Sequence, residues 1–156
     1  MKLQIEVNAA TKPSVSRNVL EEVFRAFLSE MHVHKKSSVS VAFVSEKEIQ
    51  KLNKKYRKKN KPTDVLSFSE VEKFPLASLK KSPSYLGEIA ICSVVAKKQA
   101  EEKKHSFRKE VEILTVHSML HLLGYDHKTE KQAGIMEALE EKIVKKIKIK
   151  SHKTKL

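Results

Sequence analysis

The sequence predicts an α+β fold, a small sheet with helices packed on it. Two observations carry this. Four short stretches alternate apolar and polar residues or run apolar, and segments with helical apolar spacing lie between and after them. One later segment is apolar nearly all round, the pattern of a helix buried in the middle of a domain. No repeat or low-complexity linker breaks the pattern, and 156 residues make about one domain.

Leu3, Ile5 and Val7 alternate with polar neighbours, so residues 2–8 read as a half-buried strand. Pro13 and Ser14 punctuate. From Ser14 to about Met31, Val19, Leu20, Val23, Phe24, Phe27 and Leu28 recur at helical spacing. Val39, Val41 and Phe43 alternate within a second strand, Ser37 to Val44. Ser45 is a good N-cap, and Glu48 completes a capping box for a helix that carries Ile49 and Leu52 and ends near Tyr56. Pro62-Thr63-Asp64 is a turn, and Val65 to Phe68 a short strand. Residues 70–84 contain Pro75 and Pro83, lack periodicity, and read as a surface loop. Tyr85 to Cys92 is a fourth strand, after which Ser93 can cap a helix through about Lys104.

The central helix runs from Ser106 or Phe107 to Leu123. It begins polar with Arg108, Lys109, Glu110 and Glu112, then turns apolar with Ile113, Leu114, Val116, Met119, Leu120, Leu122 and Leu123. Ser106 and Glu110 are one residue out of step for a capping box. A last helix carries Ile135, Met136, Leu139, Ile143 and Val144. Beyond Lys142 no acidic residue follows, and six lysines spread to Lys155. The domain is therefore drawn over residues 1–145, with 146–156 as a frayed basic tail.

The stretch from Thr115 to His127 organises the rest and holds three of the seven histidines. His117 and His121 are four residues apart, so they share one helix face at roughly 5–6 Å between Cβ atoms and can reach one ion. Gly124 stops the helix in the place where a left-handed residue is usual, and lets the chain bring His127 back to the same ion. Two histidines at this spacing would ordinarily be core residues satisfied by hydrogen bonds. Three, with a glycine so placed, make a catalytic zinc arrangement with an open fourth position. The offsets match the zincin-like pattern H-E-x-x-H-x-x-G-x-x-H of zinc proteases, except that Ser118 stands where those enzymes carry the Glu general base.

Composition bounds the rest. At 40% hydrophobic the chain can bury a real core, and at 33% charged it should be soluble. The net charge of +13 favours polyanions, although a lysine-rich background with no specific partner would look the same. Cys92 is the only cysteine, which excludes an internal disulfide and suits a reducing compartment. The N-terminus lacks the apolar core of a signal peptide, and no run is long enough to cross a membrane, so a cytoplasmic location is the default. The basic run over residues 54–61, with Lys54, Lys55, Tyr56, Arg57, Lys58 and Lys59, is either a solvated helix end or an RNA-binding, phosphate-contacting loop with Arg57 as its planar donor.

His117-Ser-Met-Leu-His121-Leu-Leu-Gly124-Tyr125-Asp126-His127 resembles the signature of the YbeY family of metal-dependent endoribonucleases. Tyr56-Arg57 followed by Thr63-Asp64-Val65-Leu66-Ser67-Phe68 resembles a second family motif, and Leu86-Gly87-Glu88-Ile89 a third. The segment from His105 through Glu110 also fits, so the likeness spans about residues 50 to 140. Three positions depart from it: Ser118 in place of the usual Gly, Ser69 where Pro is common, and Glu88 for a frequent Asp. The resemblance implies a four-stranded mixed sheet with the metal helix against it. It implies one Zn2+ or similar ion on His117, His121 and His127, with Arg57 as catalytic arginine. It further implies single-strand-specific cleavage in small-subunit ribosomal RNA maturation and ribosome quality control. The implied partners are that RNA, a small-subunit ribosomal protein and a ribosome-assembly GTPase. Two rivals remain. One is a zinc peptidase, weakened by Ser118. The other is a non-catalytic ribosome-assembly factor with a structural metal. Asp126, next to a ligand, either orients a histidine or only makes the turn.

Overall fold

The computed structural model describes residues 4–33, 36–69 and 85–154. The loop expected over 70–84, the start of the strand expected at residue 2, and residues 155–156 lie outside the described residues. Nine elements follow in order: β1 (Gln4–Asn8), α1 (Arg17–Met31), β2 (Ser38–Val44), α2 (Glu46–Arg57), β3 (Val65–Ser69), β4 (Tyr85–Cys92), α3 (Ser93–Glu102), α4 (Phe107–Leu122) and α5 (Glu130–Thr154).

The sheet is mixed, in the order β1-β2-β4-β3. β1 and β2 are parallel, as are β2 and β4, while the edge strand β3 runs antiparallel to β4. Parallel neighbours need a crossover, and α1 supplies the one between β1 and β2. β4 is central, and of its eight residues only Glu88 is exposed. One face of the sheet meets the main core, where Val39, Val41, Phe43, Ile89 and Ile91 pack with Phe24 and Phe27 of α1 and Val116, Met119 and Leu120 of α4. The other face holds a smaller cluster of Val44, Leu66, Ala90 and Cys92 with Ile49 of α2. Gly87 lies in β4 at φ 142, and any Cβ there would collide with the Phe68 carbonyl oxygen and press on Leu122. Its bareness lets β3 and the end of α4 close on the central strand.

Several starts and stops follow sequence chemistry. The side chains of Ser16, Ser45 and Ser106 cap α1, α2 and α4 by accepting from Val19, Glu48 and Lys109 backbone N–H groups. Ser93 does not do what its type suggests. It begins α3 rather than capping it, and its hydroxyl donates instead to the Thr11 carbonyl. Glu110 makes no capping box either. It is fully buried and takes hydrogen bonds from Lys103 Nζ and His105 Nε2, which satisfies its charge inside the domain. At the other end, α5 continues to Thr154, past the point where a frayed tail was expected, and Ile147 is buried in the main core. Apolar packing therefore extends beyond residue 145. No helix among the described residues is long and apolar enough to cross a membrane.

Candidate metal centre

α4 carries His117 and His121 one turn apart on a single face, close to where the helix stops. The stop has a defined geometry. Gly124 has φ 97; its N–H donates to the His121 carbonyl, and the Tyr125 N–H donates to the Leu120 carbonyl. This pair of bonds is the Schellman arrangement, which satisfies the last carbonyls and turns the chain sharply. The chain then returns, and His127 comes to face the other two. Ring centroids lie 4.6, 5.3 and 5.8 Å apart, and one nitrogen from each ring falls within 4.8 Å of the others.

The two helical histidines are oriented by their outer nitrogens. His117 Nδ1 meets the Glu140 carboxylate of α5, and His121 Nδ1 meets the Tyr125 carbonyl at 2.9 Å. With both Nδ1 atoms bearing the proton and donating, both Nε2 lone pairs point inward. Those Nε2 atoms are 3.0 Å apart. Two lone pairs so close repel unless a cation or proton sits between them. Two nitrogens on one tetrahedral zinc are roughly 3.3 Å apart, from Zn–N distances of about 2.0–2.1 Å. The donor set, its spacing and its outer partners therefore fit a divalent ion. Burial, and then the neighbouring His117, push the His121 pKa below the ordinary histidine value, which favours the neutral form that ligates.

Asp126 serves the turn. Its carboxylate accepts from the His127 N–H at 2.7 Å, and this bond holds its pKa below the usual carboxylate value. Its distance of 3.7 Å from His127 Nδ1 is too long for a hydrogen bond. The sequence left the orienting and turn readings open, and the geometry favours the turn.

Arg57 reaches the site from the end of α2. Its Nη2 donates to the Ser67 carbonyl on β3 at 2.6 Å. That bond lays the guanidinium along the wall of a cleft of about 610 Å³, which Asp64, Ser67, Ser69, His117 and His121 also line. Sixty residues of sequence separate Arg57 from His117, and the fold brings them to one cavity. Lys54, Lys55, Lys58 and Lys59 are exposed around the end of α2 and do not line that cleft. Ser118 is only 1% exposed and lies in the cleft wall, so the peptidase base position holds a buried hydroxyl. Ser69 donates its hydroxyl to the Leu122 carbonyl at 2.8 Å, tying the edge strand to the end of the metal helix.

Glu140 escaped the sequence reading. The available signal was a carboxylate within an apolar stripe, since it shares a helix face with Met136 and Ile143, which are buried in the core.

The family model described as Endoribonuclease YbeY matches residues 4–148, a span that includes Arg57, the three histidines and Glu140. The chain belongs to the endoribonuclease YbeY family. Among YbeY proteins, that of Caldanaerobacter subterraneus subsp. tengcongensis is 43% identical over 148 residues, covering 90% of this chain and 94% of that protein. The YbeY protein of Aster yellows witches'-broom phytoplasma is 42% identical over 134 residues, covering 85% and 90%. A Thermotoga maritima protein solved in solution has a similar fold, with a TM-score of 0.63 and 27% identity over 98% of this chain and 93% of that one. The mixed sheet and the three-histidine cluster agree with what the YbeY resemblance implied.

Proposed function

We propose that the chain is a metal-dependent endoribonuclease that cuts single-stranded RNA during small-subunit ribosomal RNA maturation and ribosome quality control. One observation carries the mechanism: Arg57 and the inward-facing histidines line the same cleft. His117, His121 and His127 would hold the ion, with zinc the best match to three imidazoles. A bound divalent cation supplies Lewis acidity toward a phosphoryl oxygen and a water acidic enough to act near neutral pH.

The chain's own residues do the rest. Glu140 and the Tyr125 carbonyl fix the tautomer and direction of two imidazoles. Arg57, held by the Ser67 carbonyl, presents its remaining N–H groups to the scissile phosphate. Negative charge grows on that phosphate in the transition state, so a preorganised guanidinium acts there more strongly than on bound substrate. Lys54, Lys55, Lys58 and Lys59 add sequence-independent attraction for the RNA backbone, in line with a net charge of +13. A ribosomal RNA substrate makes the cytoplasm the place of action, with a small-subunit ribosomal protein and a ribosome-assembly GTPase as partners.

The test is single-turnover cleavage of a single-stranded RNA at saturating enzyme, with and without chelator. Chelation should abolish cutting and zinc restore it. Arg57→Ala should keep its metal and lose roughly 10²–10³ in rate with only a modest loss of RNA affinity, and Arg57→Lys should rescue little. Wild-type cleavage by Arg57→Ala, with weaker RNA binding, would reduce Arg57 to part of a docking patch.

A further inference from the structure

Tyr56 is 53% exposed, where most large apolar side chains among the described residues are buried. It sits in the last turn of α2, directly before Arg57. Its ring is not loose. It stands edge-on to Phe68 of β3, with centroids 5.0 Å apart and planes at 63°. Edge-to-face contact of this kind fixes a ring's direction. Arg57 Cζ lies 5.6 Å from the centre of the same Phe68 ring. The two consecutive side chains therefore both lean on the edge strand. Arg57 presents a guanidinium at the wall of the histidine cleft, and Tyr56, one residue earlier in the chain, presents an aromatic surface.

The surroundings are cationic. Lys54, Lys55, Lys58 and Lys59, its neighbours along the chain, are all exposed, and Lys55 Nζ lies over the ring at 5.2 Å from the centroid. An open aromatic surface within a run of exposed lysines suits a group that is flat and carried on a polyanion. A protein partner would more naturally cover the ring with apolar atoms, and none surrounds it in the basic run.

We propose that Tyr56, braced by Phe68, is a nucleobase-stacking subsite beside the cleft, holding an unpaired base of a nucleotide adjoining the scissile phosphate. The subsite rests on the endoribonuclease reading and deepens it, because it names the feature that rewards single-stranded RNA. A paired base has its faces covered by its neighbours, whereas an unpaired one can stack on tyrosine. Every base has a π-face, so the subsite discriminates strandedness more than sequence. Lys55 would then leave the ring and take a phosphate.

The experiment uses the full chain, metal-free so that binding is read without cutting, and RNA oligonucleotides in which one 2-aminopurine is moved along the strand. Wild type and Tyr56→Phe should quench the probe at one position. Tyr56→Ala and Tyr56→Leu should lose that quench and bind about ten- to a hundredfold more weakly, with an unchanged salt slope. An abasic nucleotide at the same position should weaken wild type and leave Tyr56→Ala indifferent. Full quench and affinity in Tyr56→Leu, or an equal abasic penalty in wild type and Tyr56→Ala, would overturn the subsite. If zinc-loaded wild type quenches as expected but cuts no RNA, the nuclease reading fails while the stacking surface stands. If it cuts and the Tyr56 variants are indifferent, only the subsite fails.

Discussion

Removing the Glu140 carboxylate should weaken the metal site while leaving the fold in place. Glu140 accepts from His117 Nδ1, and its side chain is 21% exposed against 30% for the imidazole, so the pair is only partly screened by water. The carboxylate does two separable things. It fixes the tautomer that leaves Nε2 free, and it sets a negative charge against the ring that would hold the cation. Glu140→Gln keeps an acceptor oxygen in place and loses only the charge. Glu140→Ala loses both and frees the ring to rotate. Outer partners of this kind are worth about 10–100-fold in metal affinity, or about 1.4–2.7 kcal/mol. Gln should fall near the lower end and Ala near the upper. The assay is competition with a chromophoric chelator, alongside nitrogen chemical shifts of His117 in the metal-free protein, which report the tautomer. Wild-type affinity and an unchanged tautomer in Glu140→Ala would mean that α4 alone positions His117.

Two further outcomes follow from the geometry. Because burial and then His117 hold the His121 pKa low, the unfolded chain takes up the proton first as pH falls below about 6.5. The metal-free protein should lose stability across that window, and metal should be released in the same direction. Thermal melts of wild type and His121→Asn between about pH 7.5 and 5.5 check this, and a wild-type curve no steeper than the variant's contradicts it. Gly87→Ala should destabilise by about 2–4 kcal/mol, since it adds a Cβ at a positive φ against the Phe68 carbonyl. A urea midpoint within error of wild type would refute that.

The helix that carries His117 and His121, and the turn that brings His127 back, could be read from the chain because their signals are local. His117, His121 and Gly124 lie within eight residues, and helical spacing and a glycine stop convert directly into geometry. The basic run marked Arg57 as a phosphate donor, but its place beside the histidines came from family likeness, since its approach depends on a hydrogen bond to β3 that no local pattern encodes. The alternation in β1, β2 and β4 announced strands, but not that all three run parallel. That choice lies in the crossovers and not in the strands themselves. Ser93 followed a tertiary partner, Thr11, over its local preference. Glu110 found Lys103 and His105 instead of its own helix start. Glu140 drew no reading at all, because its partner is 23 residues away.

The position of Glu140 also sets an order in time. Synthesis delivers all three histidines before it delivers α5, which supplies the orienting carboxylate and, with Met136, Ile143 and Ile147, part of the core. A nascent chain that has reached His127 holds all three histidines and lacks the brace for one of them. For a member of an endoribonuclease family, made on a machine that is largely RNA, the orienting carboxylate thus comes after the imidazole it serves.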